Sequence, residues 1–215
     1  MLLAIDTATQ TISLALHDGQ ALAAESSWRS PNHHTVELAP AVMQMLDRAD
    51  VTPARLRGIG VALGPGSFTG LRIGLALAKG MALAHNLPLA GIPTLDILAQ
   101  AQPLRDGPML AVLQAGRGRV AVGRYVADRK GWRAEGEAQL YRWPELAESL
   151  QEPTYLCGEF DEEGLALFRK MRGRAILAPG SLSLRRAGVL AELAWAKLRA
   201  GQPDDAATLA PIYLR

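Results

Sequence analysis

The chain has 215 residues, 49% of them hydrophobic and 20% charged, with a formal net charge of +2. This is ordinary for a soluble globular protein of one large or two small domains that folds without staples. The single cysteine, Cys157, excludes an intramolecular disulfide and a cysteine-built zinc site; the opening Met1-Leu-Leu-Ala-Ile-Asp6 meets a charge too early for a signal peptide, and no apolar run reaches the roughly eighteen residues of a membrane span, so the expected location is cytoplasmic.

Leu2–Thr7, Thr11–His17 and Gln20–Ser27 are short apolar or alternating runs split by Ala8-Thr9-Gln10 and by Asp18-Gly19, a hairpin signal. They predict three antiparallel strands. From Thr35 to Ala49, Leu38, Val42 and Met45 recur at helical spacing, with Pro40 expected in the first turn or at a bend. A strand Ile59–Leu63, a glycine-rich turn, a helix Gly70–His85, a strand Leu89–Ile92 and a helix from Thr94 follow, giving the order βββαβαβα. After the turn-rich Pro103–Pro108 the order restarts. Strands Met109–Ala115, Arg119–Asp128 and Trp132–Leu140, a helix Trp143–Leu150, a strand Thr154–Cys157, a helix Glu162–Met171, a strand Ala175–Leu177 and a helix Leu184–Ala200 make a second, shorter copy. An α/β unit used twice resembles the actin, sugar-kinase and Hsp70 (ASKHA) superfamily in topology. The expected domains are 1–102 and 103–215, with a return of the last helix and tail onto the first left open.

The turn Gly64-Pro65-Gly66-Ser67-Phe68-Thr69-Gly70, between a buried strand and a helix, offers backbone N–H groups, two hydroxyls and the positive end of a helix dipole. Its G-x-G-x-x-x-G spacing matches neither the dinucleotide fingerprint nor the P-loop. Asp6, Gly66, Ser67 and Thr69 are the candidates if a nucleotide or hydrated magnesium binds here, against the plainer reading that Asp6 and Thr7 bond local backbone. Asn32-His33-His34 offers two imidazoles, but neighbours on an extended segment point apart, and a role at the helix entry is the simpler reading.

The following helix carries Gly70, Gly74, Ala78 and Ala82 four apart on one face. Glycine costs a helix about 1 kcal/mol relative to alanine, so such a stripe suits close approach of another backbone, either the chain's own sheet or a partner. Arg72 and Lys79 share nearly one face as solubilising charges or anchors. Of the 23 basic residues only Lys79, Lys130, Lys170 and Lys197 are lysine, and from Arg105 to Arg142 eight basic residues face four acidic ones, a hint of an RNA-facing side.

Ala4-Ile-Asp-Thr-Ala8, His34-Thr35, Gly64-Pro-Gly-Ser-Phe-Thr-Gly-Leu-Arg-Ile-Gly74 and Pro211-Ile-Tyr-Leu-Arg215 together resemble the bacterial TsaB (YeaZ) family over nearly the whole chain. The resemblance implies a non-catalytic subunit of the machinery that places threonylcarbamoyl on N6 of the adenosine beside the tRNA anticodon. It implies pairing with the paralogue TsaD, joined by the ATPase TsaE, with tRNA reached through the complex. TsaD follows its corresponding strand with two metal-ligating histidines. Thr94 and Leu98 stand at those positions here, and leucine cannot ligate a metal.

The resemblance further implies no metal and no cofactor of the chain's own, with ATP or ADP only at the level of the complex. Its expected interface is Leu38, Val42, Met45, Gly70, Arg72, Gly74, Leu77, Ala78 and Met81. Many relatives carry acids where this chain has Gln114 and Arg119, so those acids' roles do not transfer, and the role of the basic hairpin Arg117–Arg133 stays open. Two alternatives also stay open: a phosphotransferase or ATPase using Asp6 and the glycine turn, and a homodimer formed through the small-residue helix.

Overall fold

The computed structural model describes residues 1–129 and 131–214. They form two compact units, one of Met1–Ile97 with Arg186–Ile212, the other of Leu98–Arg185 with the last residues from Tyr213.

The first unit holds β1 (Leu2–Asp6), β2 (Thr11–His17), β3 (Leu22–Arg29), α1 (His34–Arg48), β4 (Gly58–Ala62), α2 (Phe68–His85), β5 (Leu89–Ile92) and the start of α3 (Thr94–Gln100). Its sheet has the order β3-β2-β1-β4-β5; β1, β2 and β3 are antiparallel neighbours, whereas β4 and β5 run parallel to β1. Because β1 is buried on both sides, its alternation separates two cores. Leu3 and Ile5 meet α1 and α2 through Leu38, Val42, Met45, Leu46, Leu75 and Ala78. Leu2 and Ala4 face the other way and pack with Leu190, Ala191 and Ala194 of α6 (Ala187–Arg199).

Small residues let α6 lie close on this sheet. A Cβ on Gly60 would stand 2.6 Å from Cβ of Ala194, and Ser13 Oγ accepts the α6 N-terminal bond from Ala187 N at 3.0 Å. The expected boundary at 102/103 is therefore corrected. The division falls inside α3, and the last helix belongs to the first unit because it closes a sheet face that α1 and α2 leave open.

The second unit repeats the layout with β6 (Met109–Gly116), β7 (Arg119–Asp128), β8 (Gly131–Ala134), β9 (Gln139–Tyr141), α4 (Trp143–Ser149), β10 (Thr154–Gly158), α5 (Glu162–Lys170) and β11 (Ala175–Leu177). Its order, read from the β8 edge as β8-β7-β6-β10-β11, matches the first sheet strand for strand, with β6 and β7 antiparallel and β10 parallel to β6. The duplication is thus present in the topology, as the actin-like fold requires. The strand expected at Trp132–Leu140 is two strands, because Gly136 at φ 80° breaks the run and β8 and β9 each pair separately with β7. Trp143, stacked on Phe160 at 5.4 Å and edge-on to Phe168 at 6.0 Å between ring centroids, anchors the core beneath α4 and α5.

Candidate partner-binding face

The glycine turn launches α2 against the end of β1. Ser67 caps the helix, its Oγ accepting from Gly70 N at 3.2 Å, while Ser67 N donates to Ala8 O at 2.6 Å and Thr7 Oγ1 donates to Gly70 O at 2.8 Å. Added Cβ atoms on Gly66, Gly70 and Gly74 would run into Ala8 O, Thr7 O and Thr7 Oγ1 respectively. The small residues therefore have an internal reason: they seat the first turns of α2 on the Thr7-Ala8 corner.

This arrangement corrects part of the expected interface. Leu38, Val42, Met45, Gly70, Gly74 and Ala78 are buried within the chain, since they form the inward faces of α1 and α2. Arg72, Leu77 and Met81 keep accessible surface. The outward face consists largely of residues outside the expected interface. On α1, Val36 and Met43 are 66% and 45% exposed; on α2, Phe68 and Leu83 are 54% and 70% exposed. Phe68, Arg72, Ala76, Gly80 and Leu83 follow each other by three or four residues and so form one stripe, opposite the buried one. The Arg72 guanidinium lies over the Phe68 ring, 3.7 Å from its centroid. The signal was available in the sequence as large apolar residues out of phase with the buried stripe.

Gly80 lies in this outward stripe, in the interior of α2, and beyond its own helical turns no described residue comes within 4 Å of where its Cβ would be. A groove of about 360 Å³ beside α1 lies between that helix and β3, lined by Leu14, Ala24, Trp28, Ala41, Met45 and Arg48 among others. Trp28 Nε1 donates to Glu37 Oε2 at 2.8 Å and holds this carboxyl below its usual range.

Three of the four nucleotide candidates are engaged within the chain. Asp6 is fully buried at the end of β1, and its Oδ1 accepts from Ala8 N at 2.8 Å. Gly66 abuts Ala8, Ser67 is the helix cap, and Thr69 is exposed in the first turn of α2. Thr94 is buried, its Oγ1 accepting from Gly64 N at 2.9 Å and its N donating to Gly64 O at 2.8 Å. Leu98 is buried in the second unit's core, near the position a Cβ on Gly158 would take. His34 Nε2 lies 2.9 Å from Thr9 O, and exposed His33 precedes α1. Among the described residues no group of three or more His, Cys, Asp and Glu side chains is placed to hold a metal ion, and no helix is long and apolar enough to cross a membrane.

The C-terminal segment closes over the same region. Asp204 Oδ2 accepts from Gly91 N and from Lys197 Nζ, both at 2.7 Å, and Ile212 N donates to Leu63 O at 2.7 Å. A Cβ on Gly64, at φ 114°, would collide with Ile212 O. Cys157 is fully buried, and burial pushes its thiol up to about 12.

A family model described as tRNA N6-adenosine threonylcarbamoyltransferase, TsaD, matches residues 29–147. The tRNA threonylcarbamoyladenosine biosynthesis protein TsaB of Escherichia coli is 31% identical over 223 residues, covering 100% of this chain and 94% of that protein. Among solved structures, YeaZ from Pseudomonas aeruginosa is similar at a TM-score of 0.80 with 29% identity, covering 99% of each chain. Component A of the (R)-2-hydroxyglutaryl-CoA dehydratase of Acidaminococcus fermentans, at 11% identity and a TM-score of 0.53 over 92% of this chain and 98% of that one, shares the fold alone.

Proposed function

Since this chain belongs to the TsaB (YeaZ) family of tRNA threonylcarbamoyladenosine biosynthesis proteins, we propose that it acts there as a non-catalytic binding and activating subunit, docking the outward face of α1 and α2 on a TsaD-type transferase. The observation that carries this reading is Gly80. A mid-helix glycine costs about 1 kcal/mol relative to alanine, and here no neighbour among the described residues beyond its own helical turns uses the missing Cβ. Its place in an exposed stripe with Phe68, Ala76 and Leu83 suits a second helix approaching closely, with Val36 and Met43 extending the apolar area. Arg72, Leu77 and Met81 from the expected interface lie on or beside that surface.

A role without chemistry of its own is supported by the glycine turn, whose N–H groups at Gly64, Ser67 and Gly70 are spent on Thr94, Ala8 and Ser67. Thr94 and Leu98 offer no metal site. On this reading the chain needs no cofactor, works in the cytoplasm, meets tRNA through the complex and is joined there by a TsaE-type ATPase.

The test is to mix the purified chain with its cognate TsaD-type protein and follow co-elution and threonylcarbamoyl transfer from threonylcarbamoyl-adenylate to tRNA. Co-elution with a raised transfer rate is expected; failure of both overturns the reading. Calorimetric titration of the isolated chain with magnesium-ATP tests the phosphotransferase alternative, for which micromolar binding with turnover is required. The homodimer alternative uses the same face, so light scattering of the chain alone before and after adding the partner separates exchange of partners from a separate surface.

A further inference from the structure

The end of the second sheet where β6 turns into β7 carries three arginines, Arg117, Arg119 and Arg142. The strands are joined by the two-residue turn Arg117-Gly118, closed by the pair Gly116↔Arg119, and both turn residues have positive φ, 55° and 68°. That is the hairpin geometry in which Asn, Asp or Gly is favoured, so arginine at position 117 is held in a left-handed conformation against its preference. On the other side of β7 the pairing with β9 ends at Val120↔Tyr141, and the next residues outward along the two chains are Arg119 and Arg142, the latter still extended at φ −92° and ψ 159°. Like charges at neighbouring strand ends repel.

Among the described residues none of these three guanidiniums forms an ion pair. Two acids of this end are engaged elsewhere: Glu145 accepts from the Arg142 backbone N at 2.8 Å, and Glu159 holds Arg185 at 2.5 Å and accepts from Gln114 N at 3.1 Å. Other arginines of the region are accounted for differently. Arg124 is paired with both Glu135 and Glu152, and Arg105 lies over the Tyr155 ring.

We propose that Arg117, Arg119 and Arg142 form a contact site for the phosphate backbone of RNA, an inference that rests on the tRNA-modification reading above. The left-handed turn displays Arg117 at the same corner where Arg119 and Arg142 end their strands, and the mutual repulsion of like charges gathered there is relieved by a polyanion. Guanidinium forks match phosphate oxygens. The flanking Gln114-Ala-Gly-Arg-Gly-Arg119 has no large apolar side chain to bury, which disfavours a protein partner, whose interface core would be apolar.

The test uses the full chain and a fluorescein-labelled, unmodified tRNA transcript, with anisotropy read between 50 and 200 mM KCl. The triple variant Arg117→Asn, Arg119→Gln, Arg142→Gln is expected to weaken binding at least about tenfold and to flatten the slope of log K against log salt by about 2 to 3, at about 0.7–0.9 for each phosphate no longer neutralised. Its melting temperature is expected to stay level or rise, since strain and repulsion are removed, which a merely structural role would reverse. The variant Arg169→Gln, Arg172→Gln, Arg174→Gln, with the same charge change on and after α5, is expected to bind within about twofold of the parent.

Equal losses in the two variants, no salt-dependent binding by the parent, or loss of TsaD-type co-elution in the first variant with tRNA affinity intact overturns the proposal. The two readings fail separately. A parent chain that binds tRNA through these arginines yet never co-elutes with a TsaD-type protein refutes the subunit reading and supports this one.

Discussion

Thr94 and Gly64 are joined by two hydrogen bonds, the threonine hydroxyl accepting from Gly64 N at 2.9 Å and the threonine N donating to Gly64 O at 2.8 Å. This pairing clamps the entry of the glycine turn to the first residue of α3, on the side opposite the cap that starts α2. A hydroxyl of this size suits the buried position. It accepts one bond where an imidazole would need room and a second partner.

Replacing Thr94 with valine preserves the shape and removes the acceptor, leaving Gly64 N–H buried without its partner. A loss of about 1–3 kcal/mol is expected. Urea unfolding checks it, with Thr94→Ser, which keeps the acceptor, falling closer to the parent.

Alanine at Gly74 and at Gly80 should move stability in opposite directions within one helix. At Gly74 the new methyl meets Thr7 Oγ1, so overpacking of about 1–3 kcal/mol is expected. At Gly80 the methyl enters open space and the gain in helix propensity is about 1 kcal/mol. Chemical denaturation of both variants reads the signs; a destabilised Gly80→Ala protein would mean that α2 is closed off on its outer side within the chain.

Cys157 is expected to be unreactive while the protein is folded. Burial both hides the sulfur and holds the thiol protonated up to about 12, so an aromatic disulfide reagent at pH 8 should label it only on unfolding. Labelling in native buffer at the rate of a free thiol would show that β10 opens locally.

The Glu37 carboxyl sits below its ordinary value, chiefly through the bond from Trp28 Nε1. A lowered folded-state pKa stabilises above the unfolded value, about 4.3, and that contribution disappears as pH falls through the folded value. The parent should therefore lose stability relative to Glu37→Gln on going from pH 6 to pH 3. Parallel urea curves at the two pH values measure the difference, and equal gaps at both would contradict it.

Much of the architecture was legible because its signals are local. Leu2–Asp6 and Gly58–Ala62 are apolar on both faces, as strands covered by helices must be, and Asp18-Gly19 separates β2 from β3. The orientation of α2 was not legible in the same way. Its small stripe is explained by Thr7, whose hydroxyl bonds Gly70 across 63 positions of sequence, and spacing within the helix cannot say which neighbour fills a groove. The destination of α6 was equally hidden. An alanine-rich amphipathic helix fits either sheet, and the choice rests on Gly60, Ser13 and Glu25, the last accepting from Gly188 N at 2.8 Å. In the second half, the break between β8 and β9 depends on Gly136 in a left-handed conformation, which alternation alone does not reveal.

The return of α6 to the first sheet sets an order of events during synthesis. Leu2, Ala4 and Ala15 wait for Leu190, Ala191 and Ala194, so the unit whose strands leave the ribosome first is completed only after Leu98–Arg185 of the other unit has been made. Until then one face of the first sheet is bare, and the contacts that finish it span most of the chain. Such long loops slow folding and leave apolar surface open to misassociation. For a nascent chain, the later-made unit is the one able to close first.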